Sequence, residues 1–264
     1  MQIIENGSGP PLVLIPGIQG HWEYVGAAAR ALSGAFRVIT FPLADEPRAD
    51  FSFDRTLGFG NYVQQVREAL DQAGLDQAVI CGVSFGGLIA LRFAAIHPER
   101  TRGLILASTP GPGWHLRPRH DLYARLPYVF GPLFLAETPL RLRREMAAAF
   151  PRAGVRWQFA VSQLKTLARV PLSLGRMAYR ARLIATLDTV ADCARITAPT
   201  LIVTGEHSLD HVVPVEGSAG YLTLIDGARA AVLERTGHLG SITRPDAFAS
   251  LVREFADRRA REVA

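Results

Sequence analysis

Cysteine is scarce in this chain, with Cys81 and Cys193 the only two in 264 residues. Two thiols cannot build a disulfide framework, and they cannot complete a four-thiolate zinc site. Lysine is scarcer still: Lys165 stands alone, so nearly all the positive charge is arginine. No apolar run approaches the ~20 residues that a membrane-spanning helix needs. The longest, such as 12–15 and 129–136, are short or broken by Gly and Pro. The opening Met-Gln-Ile-Ile-Glu-Asn lacks a basic segment followed by an apolar one, so no secretory signal is expected and a cytoplasmic location is. Gly (24) and Pro (17) fall far below collagen-like or low-complexity levels. Zinc-finger spacings, basic heptads and RNA-binding aromatic strands are missing, so no nucleic-acid partner is expected.

What is present suits a folded enzyme-sized chain. Hydrophobic residues make up 48% and charged residues 20%, enough apolar material for a core. The net charge of +5 is unevenly placed. Residues 111–195 hold 14 Lys+Arg against 5 Asp+Glu, whereas the rest holds 15 against 19. Such a patch attracts anionic ligands or partners, although charge blocks are more often solvated helical surface.

Short apolar runs alternate with longer amphipathic ones. Strands are expected at 11–15, 36–41, 78–81 and 102–107, and helices at 22–32, 57–73 and 85–96. The rhythm breaks at 108–113, Ser-Thr-Pro-Gly-Pro-Gly. From Trp114 to Ala194 only helical patterns occur, at 140–150, 155–168 and 174–190. Strands return at 200–204 and 230–234, with helices at 215–225 and 245–259. This order predicts an α/β fold with a mostly parallel sheet, helices on both faces and a helical insertion. The expected division is 1–110 with 196–264 as the sheet domain, and 111–195 as the insertion.

The most specific motif is Gly82-Val83-Ser84-Phe85-Gly86, between an expected strand and an expected helix. That is a G-x-S-x-G nucleophile elbow in the context it requires. The sharp turn needs small residues on either side of the serine, and it leaves the Phe85 N–H at a helix N-terminus, free to hold an oxyanion. A serine nucleophile needs a base, and the base needs an orienting acid. His238 follows the strand at 230–234. Asp210, or second to it Glu206, follows the strand at 200–204. Gly17 and Gly20 could suggest a phosphate loop, but no G-x-G-x-x-G or Walker lysine accompanies them. His207 and His211 flank the acid without further ligands at metal spacing, so no metal is expected.

With these motifs in place, the chain resembles a lid-bearing serine hydrolase of the α/β-hydrolase fold superfamily. The resemblance spans nearly the whole chain. Asp210-His211-Val212-Val213-Pro214 is similar to the segment that follows the acid strand in relatives. Pro16-Gly17-Ile18-Gln19-Gly20 stands where they carry His-Gly. The resemblance implies a Ser84–His238–Asp210 triad, an oxyanion hole from the N–H groups of Phe85 and Ile18 (Gln19 as the alternative), and a cap at 111–195. It implies hydrolysis of a carboxylic ester through an acyl-enzyme, with no cofactor and a small-molecule substrate. The alternatives are carbon–carbon bond cleavage of an acidic diketone, which arginines would suit, or a slow-turnover receptor. Aminopeptidases of this fold use cap carboxylates, and here the insertion has only Asp121, Glu137, Glu145, Asp188 and Asp192. Gln19, His21, Trp22 and Trp114 are candidate pocket residues. The oligomeric state is not legible.

Overall fold

A computed structural model describes residues 1–263. In chain order its elements are β1 (Ile4–Asn6), β2 (Pro11–Ile15), α1 (Gly26–Leu32), β3 (Arg37–Thr40), α2 (Gly60–Gln72), β4 (Ala78–Val83), α3 (Phe85–Ile96) and β5 (Thr101–Ala107). Then come α4 (Pro118–Arg125), α5 (Pro127–Ala149), α6 (Ala153–Arg169), α7 (Leu174–Leu183) and α8 (Thr189–Cys193). The chain closes with β6 (Thr200–Thr204), α9 (Val215–Leu224), β7 (Arg229–Val232), α10 (Gly240–Thr243) and α11 (Pro245–Val263). The seven strands form one sheet in the order β1-β3-β2-β4-β5-β6-β7. Every pairing is parallel except the edge pair β1–β3.

Both faces of the sheet are covered at its centre, which is why β2 and β4 are apolar throughout, whereas the edge strands β1 and β7 are largely exposed. In β2, Val13 and Ile15 join one core with α2, α3 and Tyr221 of α9. Leu12 and Leu14 join the other, with α1 and with Phe248, Val252 and Phe255 of α11. Successive side chains on a strand point to opposite faces, so both parities must be apolar. Helix α3 is sandwiched and apolar all round but for Arg92, whereas α11 buries only one stripe.

The α/β reading of the sequence holds, and helices alone fill the stretch between β5 and β6. Three details differ from expectation. Helix α5 begins at Pro127 and runs through Pro132 and Pro139. Pro139 has no N–H to offer the Leu135 carbonyl, and one residue earlier the Phe134 carbonyl accepts from the Thr138 hydroxyl and from Arg141 Nη2. The expected single helix over 174–190 is broken: a 3-10 turn follows α7, and Asp188 caps a new helix by accepting from Ala191 N. The strand β1 and the helix α4 carried too little periodicity to be anticipated.

Candidate active site

The loops after β2, β4, β6 and β7 meet at the carboxyl edge of the sheet, where open parallel sheets bind ligands. Ser84 sits between β4 and α3 with φ 55° and ψ −118°, a conformation L-residues avoid and tight packing must hold. The glycines explain how. A Cβ on Gly82 would lie 2.1 Å from the Gly86 carbonyl oxygen, and one on Gly86 would lie 2.4 Å from that of Ile15. Phe85 opens α3, so its N–H is among those that find no partner inside the helix.

His238 Nε2 is 3.1 Å from Ser84 Oγ, and His238 Nδ1 is 3.3 Å from Asp210 Oδ2. The second contact is long for a bond to a carboxylate. The Asp210 side chain is 3% exposed and that of His238 11%. Asp210 Oδ1 accepts from the N–H groups of Val212 and Val213, both at 2.9 Å. Burial pushes the Asp210 carboxyl up, but the His238 hydrogen bond and charge, with the two N–H groups, outweigh it and hold it below its ordinary value. Glu206, the second candidate acid, points elsewhere: its Oε1 accepts from Arg235 N at 2.6 Å and braces a residue at φ 60°.

The loop after β2 closes against the elbow, its Gly17 facing the Ser84 side chain. Gly20 N donates to Gly17 O, closing a turn around Ile18 and Gln19. The Ile18 carbonyl accepts from Arg180 Nη1 at 2.9 Å. Arg180 comes from α7 and is fully buried. Its Nε and Nη2 bond Asp45 Oδ1 at 3.0 and 2.7 Å, and Nη2 also bonds Glu46 at 2.6 Å. A Cβ on Gly20 would lie 2.1 Å from Nη1, and Gly20 has φ +84°, so this position admits only glycine. Gln19 Oε1 lies beside Gly17. His21 is buried, and its Nδ1 accepts from Glu23 N to cap the 3-10 turn that Trp22 begins. Trp114 packs, half-buried, on the core beneath α2 and α3.

Two residues outside the expected set also converge here. One is Arg180. The other is Glu145 of α5, fully buried, whose Oε1 accepts from Thr236 Oγ1 at 2.8 Å and Leu239 N at 2.7 Å. Burial pushes its carboxyl up, more than the Thr236 hydroxyl, the Leu239 and Gly237 N–H groups and the His238 charge pull it down. The partners of both lie far away in sequence, and no local spacing announces them. Cys81 is a buried core thiol, pushed up to about 12 by burial. A cleft of about 1010 Å³ is lined by the Arg180 partners Asp45 and Glu46 and by Phe53, Arg176 and Tyr179 among others, but not by Ser84, Asp210 or His238. Among the described residues no helix is long and apolar enough to cross a membrane.

Comparison with known proteins covers nearly the whole chain. Residues 12–251 match the family model described as "Alpha/beta hydrolase family". A 2-hydroxymuconate semialdehyde hydrolase from Pseudomonas sp. (strain CF600) is 28% identical over 266 residues, covering 95% of this chain and 88% of its own. A poly(3-hydroxyalkanoate) depolymerase from Ectopseudomonas oleovorans is 26% identical over 269 residues, covering 93% and 83%. The crystal structure of the enol-lactonase from Burkholderia xenovorans LB400 superposes with a TM-score of 0.74 at 21% identity, covering 97% of this chain and 96% of that one.

Proposed function

The chain belongs to the alpha/beta hydrolase family, and from that premise we propose that it cleaves a carboxylic ester, or a related acyl substrate such as a lactone, with Ser84 as nucleophile. The observation that carries this reading is the 3.1 Å contact between His238 Nε2 and Ser84 Oγ, on a serine held at φ 55°. His238 removes the hydroxyl proton as Ser84 attacks the substrate carbonyl. The oxyanion rests on the Phe85 N–H and on that of Ile18 or Gln19, donors whose individual loss typically lowers turnover by ~10²–10³. Asp210 holds the imidazole and stabilises its protonated form. His238 then protonates the leaving oxygen, and water activated by the same imidazole releases the acyl group. In this reading α4–α8, within residues 111–195, form a cap over the sheet domain of 1–110 and 196–264. Gln19 is the favoured pocket residue of the loop after β2.

The charge of the insertion supports a neutral substrate over an acidic diketone. An acid would need a guanidinium free at the site. Arg180, the arginine of the insertion that reaches the loop beside Ser84, is already committed to Asp45, Glu46 and the Ile18 carbonyl. Others are paired as well: Arg119 with Glu137 and Arg125 with Asp121 within the insertion, and Arg176 with Glu46 across to the loop after β3.

The test is intact-mass labelling with a fluorophosphonate. Wild type is expected to gain one adduct and Ser84→Ala none, and short neutral esters and lactones should turn over. A folded wild type that takes no adduct overturns the hydrolase reading in favour of ligand binding. Faster turnover of an acidic diketone than of any ester would replace ester cleavage by carbon–carbon bond cleavage.

A further inference from the structure

Glu145 is a buried carboxylate that the proposed chemistry does not use. A charge without solvent is expensive, and an apolar side chain could fill the same space at the end of α5. What an apolar side chain could not do is accept hydrogen bonds from the turn that carries His238. The two donors to Glu145 Oε1 are Thr236 Oγ1 and Leu239 N, one on each side of His238. The Thr236 hydroxyl also contacts Thr243 Oγ1 at 2.9 Å, tying the turn to α10. Arg235 Nε reaches the Ala148 carbonyl at 3.2 Å, a second contact between this turn and α5. On the other side, Glu206 holds Arg235 N. The turn is therefore gripped by one carboxylate from the loop after β6 and by one from the helical insertion.

We propose that Glu145 is a positioning residue for the catalytic base: by gripping residues 236 and 239 it sets where the His238 imidazole stands between Ser84 and Asp210. The inference rests on the hydrolase reading for its effect on turnover, but not for its effect on the imidazole. It gives the insertion a part in assembling the base, beyond covering the site. The loose 3.3 Å contact to Asp210 makes the imidazole dependent on such support, because small displacements of a reacting group are felt strongly in rate.

The charge and the hydrogen bonds separate cleanly. Both bonds end on Oε1, and Oε2 has no partner. Glu145→Gln therefore keeps the acceptor and the shape, whereas Glu145→Ala removes the grip. Ester kinetics are measured on wild type and both variants, normalised to the fraction of sites titrated by fluorophosphonate. In Glu145→Ala, kcat is expected to fall about 10- to 100-fold with KM within about threefold, and Glu145→Gln is expected to recover kcat to within about fivefold of wild type. The low-field proton resonance of the His238 imidazole N–H is recorded on the same proteins. It is expected to be kept in Glu145→Gln and to shift or vanish in Glu145→Ala. Wild-type kcat per titrated site with an unmoved resonance in Glu145→Ala overturns the inference, and so does a loss that Glu145→Gln fails to recover. Should wild type neither label nor turn over, the hydrolase reading fails, and the imidazole resonance alone decides whether Glu145 places the ring.

Discussion

At the residue scale, the site is a problem of holding one charge. Asp210 is buried yet kept ionised by His238 and two N–H groups, so folding favours its charged form. For a carboxyl held below its unfolded value, the stabilisation is complete above that value, about 3.9, and is lost as pH falls through the lower folded one. Asp210→Asn is expected to flatten the acid end of the stability curve below about pH 4, read by denaturant titration at stepped pH. The same variant is expected to lose about 10⁴ in kcat at neutral pH, since an amide neither holds the imidazole in the tautomer that takes the Ser84 proton nor stabilises the imidazolium as a carboxylate does. Ser84 and His238 were legible in the sequence because each sits in a short signal beside a strand. The segment 210–214 already ranked Asp210 ahead of Glu206 in the sequence, but where each acid points is not announced by two residues on one loop.

At the scale of elements, the loop after β2 and the helix α7 form one unit. Arg180 pairs with Asp45 and Glu46, to which Arg176 adds a second positive charge, and holds the Ile18 carbonyl, and Gly20 makes room for it. Breaking a buried charge cluster by removing one partner typically costs about 3–5 kcal/mol. Arg180→Leu is expected to lose stability in that range by urea unfolding. Arg125→Ala, which breaks an exposed pair with Asp121, should change it by less than about 0.5 kcal/mol. Apart from β1, the strands and the long helices of the sheet layers were readable from periodicity to within a few residues. The insertion was legible in part: α6 and the start of α7 were anticipated, but the helix expected at 140–150 begins at Pro127 and passes through Pro132 and Pro139, and an arginine with partners more than 130 residues away is counted in a sequence only as charge.

At the scale of the whole molecule, the helical stretch is fastened to the sheet layers at several separate points. Arg180 meets Asp45 and Glu46, Glu145 meets the His238 turn, and the Tyr24 hydroxyl donates to the Val170 carbonyl at 2.5 Å. Arg92 of α3 pairs with Asp192 of α8, and Ile184 and Cys193 are buried in the same core as α2 and α3. Residues 118–193 should therefore unfold together with the sheet. Differential scanning calorimetry is expected to show one transition, with calorimetric and van't Hoff enthalpies in agreement. Two resolved transitions would show that the insertion melts on its own. The regional excess of positive charge, taken from sequence as a surface patch, belongs in part to these fastenings.

The grip of Glu145 and Arg180 also bears on how such a chain can diversify. Recombination between relatives at the borders of the insertion would part Glu145 from Thr236 and Leu239, and Arg180 from Asp45, Glu46 and the loop around Gly20. A borrowed insertion without these two side chains would leave two acids and the His238 turn without their counterparts. Inheritance of a new insertion is thus conditional on inheriting its sockets, and specificity is freer to drift through point changes on the outer surfaces of α5 and α6 than through exchange of the whole segment.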